Sequence, residues 1–215
     1  MTEEPTGAPA MPPPDPAPAP PPAAAGWAAP PPVSTPGIPG FVFADVPNRF
    51  IALIIDGIIL FVIGAIVGVV ISSVFGPPYD VDINETTFEV NVTTNWLSAI
   101  VTLIVSMVVS AVYWIYTWTR MRGSPGMKVL GMQVGNYPDG ATLTQNQAIR
   151  RWIALGGLLP IVQTLNQLPV IGALIGIATL AYFAYLLYST AKSPTKQGFH
   201  DKYANSVVVK SARVA

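Results

Sequence analysis

The chain has 215 residues, of which 51% are hydrophobic and only 10% are charged, and its formal net charge is zero. Soluble domains carry about 25% charged residues, so this composition is typical of a membrane protein, and the balanced charge gives no support to nucleic-acid binding. The lack of cysteine excludes disulfides and thiolate-bound metals, and the single histidine, His200, excludes a multi-histidine metal site within one chain. We therefore expect no metal, no cofactor and no nucleic-acid partner.

The N-terminal segment is rich in proline. Sixteen of the 23 prolines lie within the first 47 residues, mixed with alanine and glycine. Such a segment buries too little apolar surface to fold, so residues 1–42 are predicted to form a disordered tail with polyproline II character on the cytoplasmic side. Two interpretations stay open: a solvated spacer, or a ligand for a proline-binding partner.

Four apolar stretches follow, at about residues 50–75, 97–119, 152–168 and 170–190. Crossing a bilayer takes about 20 apolar residues in a helix. The third stretch is short and contains Pro160, so it either crosses fully or forms a re-entrant segment. The pattern predicts an all-α membrane protein with four transmembrane helices.

The distribution of lysine and arginine predicts the orientation of these spans. The segment between spans one and two, residues 76–96, has no basic residue and four acidic ones, whereas all eleven lysines and arginines flank the other span ends. Basic residues concentrate on the cytoplasmic side. Both chain termini are then cytoplasmic, which requires an even number of crossings in a multi-pass protein of the cell membrane.

Aromatic residues at the predicted inner end of span two are typical of an interfacial belt, where amphipathic rings lie at headgroup level. These residues are Tyr113, Trp114, Tyr116 and Trp118.

Short alternating segments predict a few strands outside the spans. Residues 126–134 and 203–209 alternate apolar and polar side chains and are predicted to pair on the cytoplasmic side. Residues 86–94 have the same pattern and predict a small hairpin on the opposite side.

Asp56 is a carboxylate near the start of span one. A charge at the centre of a span costs about 2.5–3.5 kcal/mol on insertion scales, so a partner, water or protonation must offset it. Arg49 shares its helix face at about 10 Å along the axis, but helical side chains lean toward the N-terminus, so a direct pair is not expected. The other candidate partners are Arg150, Arg151 and Lys202.

Two interpretations of Asp56 stay open. With a cationic partner it forms a structural ion pair, whereas without one desolvation favours its neutral form and it becomes a proton- or cation-binding site. Span three adds a polar face at Gln163, Asn166 and Gln167, which is either an interfacial helix end or the mouth of a polar pathway.

Several of these motifs carry a family resemblance. Arg49, Asp56 and the Phe-His-Asp-Lys run at 199–202 resemble the Arg-Asp-Asp signature of the RDD family of bacterial membrane proteins. Segments 126–134, 147–151 and 199–209 also resemble conserved stretches of that family and occur in the same order. The resemblance covers roughly residues 43–210, and Lys202 and Asn205 depart from the usual Arg and Gly. It implies one transmembrane domain over 43–210 in a family whose function is largely unknown, with transport suggested for some members.

The predicted charge cluster consists of Arg49, Asp56, Asp201 and Lys202. If the strands pair, Asp201 comes near Lys128, Arg150 and Arg151, although it could equally fix a turn. His200 beside Asp201 has no nucleophile next to it, so we expect no enzyme.

Two functional hypotheses follow. The first is a small ion or solute transporter, or a transport subunit, in which Asp56 binds the charge. The alternative is a non-transporting membrane scaffold or assembly factor whose proline-rich tail recruits partners. In both, the expected partners are the lipid bilayer and either copies of this chain or other membrane proteins.

Overall fold

The structure is a computed structural model that describes residue 38 and residues 40–163 and 169–211. Most of the predicted tail, and Asn166 and Gln167 of the predicted polar face, lie outside the described residues. Only the backbone of Gln163 is described.

Three long apolar helices agree with spans one, two and four. Helix α1 is Val46–Phe75, α2 is Trp96–Arg120 and α6 is Pro169–Lys192. Among the described residues these are the three helices long and apolar enough to cross a membrane. α1 begins with Pro47 in its first turn, where no backbone donor is needed, and the side chain of Asn95 caps α2 by accepting from the Ser98 amide.

The predicted third span is not one continuous helix. It is divided into α4 (Gln145–Trp152), a π-helical turn (Ile153–Gly157) and α5 (Leu159–Gln163). Gly156 causes the break, because its φ of 107° lies where L side chains are strained, and a Cβ there would approach the Leu159 side chain to 2.7 Å. Pro160 lies in the first turn of α5, where proline is tolerated.

Two small antiparallel sheets lie at opposite ends of the helices. β2 (Tyr79–Ile83) and β3 (Val90–Thr94) form a hairpin between α1 and α2. The predicted run 86–94 contains β3, whereas β2 lies before that run. The other sheet has the order β1-β5-β4, with β1 at Phe41–Phe43, β4 at Met132–Asn136 and β5 at Ser206–Ser211.

The predicted pairing of segments 126–134 and 203–209 is confirmed for residues 132–134 and 206–209. The first half of 126–134 belongs instead to the short helix α3, Pro125–Val129. β1 leads directly into α1, α2 leads through α3 into β4, and α6 leads through α7 (Phe199–Tyr203) into β5. We call this side of the molecule the sheet end.

The packed core lies at the sheet end. Trp118 is fully buried and Trp114 is 7% exposed; their rings lie 5.0 Å apart, and the Arg151 guanidinium lies 5.0 Å from the Trp118 ring. The prediction that Trp114 and Trp118 belong to an interfacial belt is therefore wrong. Tyr116, another residue of the predicted belt, is exposed. The cause is tertiary: the sheet and α4 cover this part of α2.

Candidate functional site

Asp201 is the centre of a buried ion-pair cluster. The carboxylate lies 2.5 Å from Nη1 of Arg49 and 2.6 Å from Nη1 of Arg151, and it accepts a hydrogen bond from the Gly198 amide at 3.2 Å. Asp201 and Arg151 are almost completely buried. The structure therefore brings together three of the residues singled out from the sequence, and Arg49 pairs with Asp201 instead of Asp56.

Arg49 ties together parts of the chain that are remote in sequence. Its Nε donates to the carbonyl of Ala44 at 3.0 Å and its Nη2 to that of Val208 at 3.3 Å, in addition to the pair with Asp201. One guanidinium thus joins the start of α1 to β5 and α7. Such charge-assisted bonds are about twice as strong as neutral ones.

The charges around Asp201 control its ionisation. Burial by itself would raise the pKa of Asp201, but the Arg151 guanidinium, the neighbouring His200 when it is protonated, and the Arg49 guanidinium hold it well below the usual range of a carboxyl group. Asp201 is therefore an anion at neutral pH.

His200 is the titratable neighbour of this cluster. It is 8% exposed, and its Nε2 lies 3.6 Å from Oδ2 of Asp201, while its buried Nδ1 has no hydrogen-bond partner. Burial lowers the pKa of His200 to about 4, despite the opposing attraction of Asp201. The imidazole is therefore neutral at neutral pH.

We expect His200 to make the stability of the fold depend on pH. Between its ordinary pKa of 6.5 and its folded pKa of about 4, the unfolded chain binds a proton that the folded chain does not. The free energy of unfolding should therefore fall as the pH falls through this window. The corresponding folding equilibrium constant should decrease by at most tenfold for each pH unit. His200→Gln should remove this contribution, as measured by denaturant unfolding in detergent at pH 7, 5.5 and 4.5. Equal pH dependence of the variant and the wild type would contradict the assignment.

Asp201, whose pKa is lowered from 3.8, loses its own contribution to stability only at more acidic pH.

Asp56 is also buried, with 1% of its surface exposed, but its partners are neutral donors. It accepts from the Tyr113 hydroxyl at 2.7 Å, from the Gly126 amide at 2.8 Å and from the Ser124 hydroxyl. Within the described part of the chain it forms no ion pair. The predicted basic partners lie elsewhere: Arg151 on Asp201, and Lys128, Arg150 and Lys202 on the exposed surface.

The segment that holds Asp56 packs directly on the backbone of α1. Ser124 is the N-cap of α3, since its hydroxyl accepts from the Met127 amide at 3.3 Å. A Cβ on Gly126 would lie 2.2 Å from the Ala52 carbonyl oxygen, so only glycine allows this close approach. Asp56 thus anchors α3 to α1 through two of its three hydrogen bonds.

A cavity of about 270 Å³ separates α1 from α6 at the sheet end. Twelve of its seventeen lining residues are apolar, among them Leu53, Trp114 and Phe183. The remaining five are the polar or ionisable residues Arg49, Asp56, Arg151, Thr190 and His200. Arg49 and His200 of the Asp201 cluster therefore share one space with Asp56.

Tyr113 and Gly126 could not be identified as hydrogen-bond partners of Asp56 from the sequence alone. Ser124 followed by Pro125 is a recognisable helix-start signal, but nothing local connects it to Asp56. No cluster of three or more potential metal-binding side chains occurs among the residues that the structure describes.

Comparison with known protein families gives a match over most of the chain. A family model described as RDD family matches residues 43–205, from β1 to the residue before β5, and this range contains Arg49, Asp56 and Asp201. Searches of curated proteins and of solved structures found no match.

Proposed function

We propose, since this chain belongs to the RDD family of membrane proteins, that it binds a small solute in the cavity at the sheet end and acts as a transporter or transport subunit. One observation carries the proposal: Arg49, Asp56, Arg151 and His200 line a single space in a largely apolar wall. Ionisable residues near or within a membrane are costly and commonly mark a substrate or ion pathway.

The size of the cavity supports a small ligand. Pockets for small molecules measure about 300–1,000 Å³ and are mostly apolar with a few polar groups. The cavity here is close to the lower limit of this range, at about 270 Å³. The proposal involves no catalytic step and no cofactor.

We also propose that the sheet end faces the cytoplasm and that the chain crosses the cell membrane four times. The distribution of basic residues favours this orientation. Since α1 begins at the sheet end and α2 and α6 end there, the chain must return toward the far end between α4 and α6. The Trp152 indole donates to the Ser110 hydroxyl at 3.2 Å. Ser110 lies ten residues, or about 15 Å, before the end of α2. The end of α4, where the interrupted third span begins, therefore already lies beside the middle part of α2.

Cysteine labelling tests this orientation, because the chain has no native cysteine. Glu85→Cys in the far hairpin should react with a membrane-impermeant maleimide in intact cells, whereas Val129→Cys in α3 should react only after the membrane is opened. Both positions are exposed. Labelling of Val129→Cys from outside would overturn the orientation.

Transport is tested in proteoliposomes that contain a pH-sensitive dye. Vesicles with wild-type protein should change their internal pH faster than protein-free vesicles when sodium, potassium or a medium-chain carboxylate is added outside. We expect Asp56→Asn to abolish the difference, because it replaces the carboxyl group on the cavity wall by an amide. The matched control is Asp82→Asn in the exposed hairpin, which should leave the flux unchanged.

If the folded Asp56→Asn protein kept the wild-type flux, Asp56 would have no transport role. If the wild type itself gave no flux, the scaffold alternative would be favoured, and deletion of residues 1–37 should then abolish capture of a proline-binding partner.

A further inference from the structure

Two of the residues that line the cavity, one on α1 and one on α6, are also exposed at the outer surface of the helices. Phe50 on α1 and Leu187 on α6 both line it, and they are 47% and 39% exposed. Both helices are long and apolar enough to cross a membrane, and in a bilayer lipid would surround the cavity on this side. A ligand can therefore reach the cavity from the bilayer without passing the sheet.

The chemistry of the walls suits a bound apolar group better than a bound ion without its water shell. An ion loses its water shell on burial, and this loss must be replaced by several polar ligands. Both carboxylate oxygens of Asp56 are already hydrogen-bonded by donors, and the walls around it are mostly aliphatic and aromatic. An occupant with a long apolar part would be compatible with most of this surface.

The basic residues on the surface of the sheet end favour an anionic headgroup. Arg49 and Arg151 line the cavity and are paired with Asp201, and Asp56 is a further acidic residue of the wall, so the excess of positive charge comes from the exposed basic residues of the sheet end. Lys192 and Lys202 are exposed and lie within two residues of the lining residues Thr190 and His200. Each basic residue near a membrane surface raises the affinity for anionic lipid about fivefold.

We propose that the cavity takes one acyl chain of an anionic phospholipid from the surrounding bilayer, with the phosphate held at the basic sheet end. The inference rests on the proposed function only in using the same cavity as the ligand site. The apolar walls would hold the chain, and the excess of positive charge would select the headgroup.

Tryptophan fluorescence provides a direct test, since Trp114 and Trp118 form part of the cavity wall and are buried from bulk lipid. The full chain with Trp27→Phe, Trp96→Phe and Trp152→Phe, which leaves Trp114 and Trp118 as its two indoles, is reconstituted in phosphatidylcholine vesicles. Two parallel samples contain the same small fraction of lipid with brominated acyl chains. In one sample the brominated lipid is phosphatidylglycerol, and in the other it is phosphatidylcholine. Bromine quenches only nearby indoles, so quenching reports an acyl chain close to Trp114 or Trp118. We expect the brominated phosphatidylglycerol to quench with about fivefold higher apparent affinity, a preference that high salt should reduce.

A matched pair of variants on α6 locates the bound chain. Leu187→Phe enlarges a side chain of the cavity wall and should remove the extra quenching, whereas Leu180→Phe, two turns away and 72% exposed, should not. Equal quenching by the two lipids in the protein without α6 changes would overturn the proposal, whether or not Leu187→Phe folds. Quenching that is selective but equal in both variants would also overturn it, since the lipid would then lie elsewhere. Loss of flux in Asp56→Asn together with non-selective quenching would leave the proposed function standing and refute only this inference.

Discussion

Replacing Asp201 by asparagine should lower the free energy of unfolding by about 3–5 kcal/mol, the usual loss when one member of a buried ion pair is removed. The carboxylate lies 2.5 Å from Arg49 and 2.6 Å from Arg151, and it is completely buried. Without it, two guanidinium groups remain in a largely apolar environment with no negative charge between them. Denaturant unfolding in detergent micelles measures the loss.

Two further variants make this result specific. Asp82→Asn removes an exposed carboxylate from the β2–β3 hairpin and should change the stability by less than about 0.5 kcal/mol. Asp201→Asn combined with Arg151→Met should recover part of the loss, because one of the two unpaired charges is then absent. A stability of Asp201→Asn within about 1 kcal/mol of the wild type would show that the cluster does not hold the fold.

Gly126→Ala should cost about 3 kcal/mol or more, at or beyond the upper end of the usual range for overpacking. The added methyl group would lie 2.2 Å from the Ala52 carbonyl oxygen and 3.0 Å from Cγ of Asp56. Neither neighbour can move easily, because one is helix backbone and the other accepts three hydrogen bonds. The α3 segment must therefore separate from α1, and Asp56 loses its bonds to Ser124 and Gly126.

The control for this variant is Gly64→Ala on α1, where an added Cβ meets no atom within 4 Å. Alanine is favoured over glycine inside a helix, so Gly64→Ala should be neutral or slightly stabilising. Protease sensitivity of the 121–131 segment should increase only in Gly126→Ala. Equal stability of the two variants would contradict the close approach of α3 to α1.

The three signature residues of the family have different structural roles here. Arg49 and Asp201 join the start of α1 to α7 and β5, whereas Asp56 holds the α3 segment on α1. All three attach the sheet end to the helices. This arrangement accounts for the sequence spacing of the signature without a direct contact between Arg49 and Asp56, and it places Arg49 and Asp56 on the wall of one cavity.

Some features of the site were accessible from the sequence because they depend on local chemistry. The buried acid in span one, the weakness of a direct Arg49–Asp56 pair and the pairing of β4 with β5 follow from composition, side-chain direction and alternation. The hydrogen-bond partners of Asp56 did not, because the contact to Tyr113 joins residues 57 positions apart and depends on how α2 is rotated. Trp118 was likewise assigned to the interface because its burial depends on Arg151 and the sheet.

The sequence by itself determined that this is a chain of long apolar helices with basic residues at one end, because helix length and hydropathy are properties of each segment alone. Only the tertiary structure decided which charges meet. The contact between Arg49 and Asp201 spans 152 residues, and no local pattern specifies it. The break at Gly156 was also decided by the tertiary structure, because its cause is a backbone conformation that the apolar sequence does not indicate. Partners of buried charges are set by packing, and packing is a property of the whole fold.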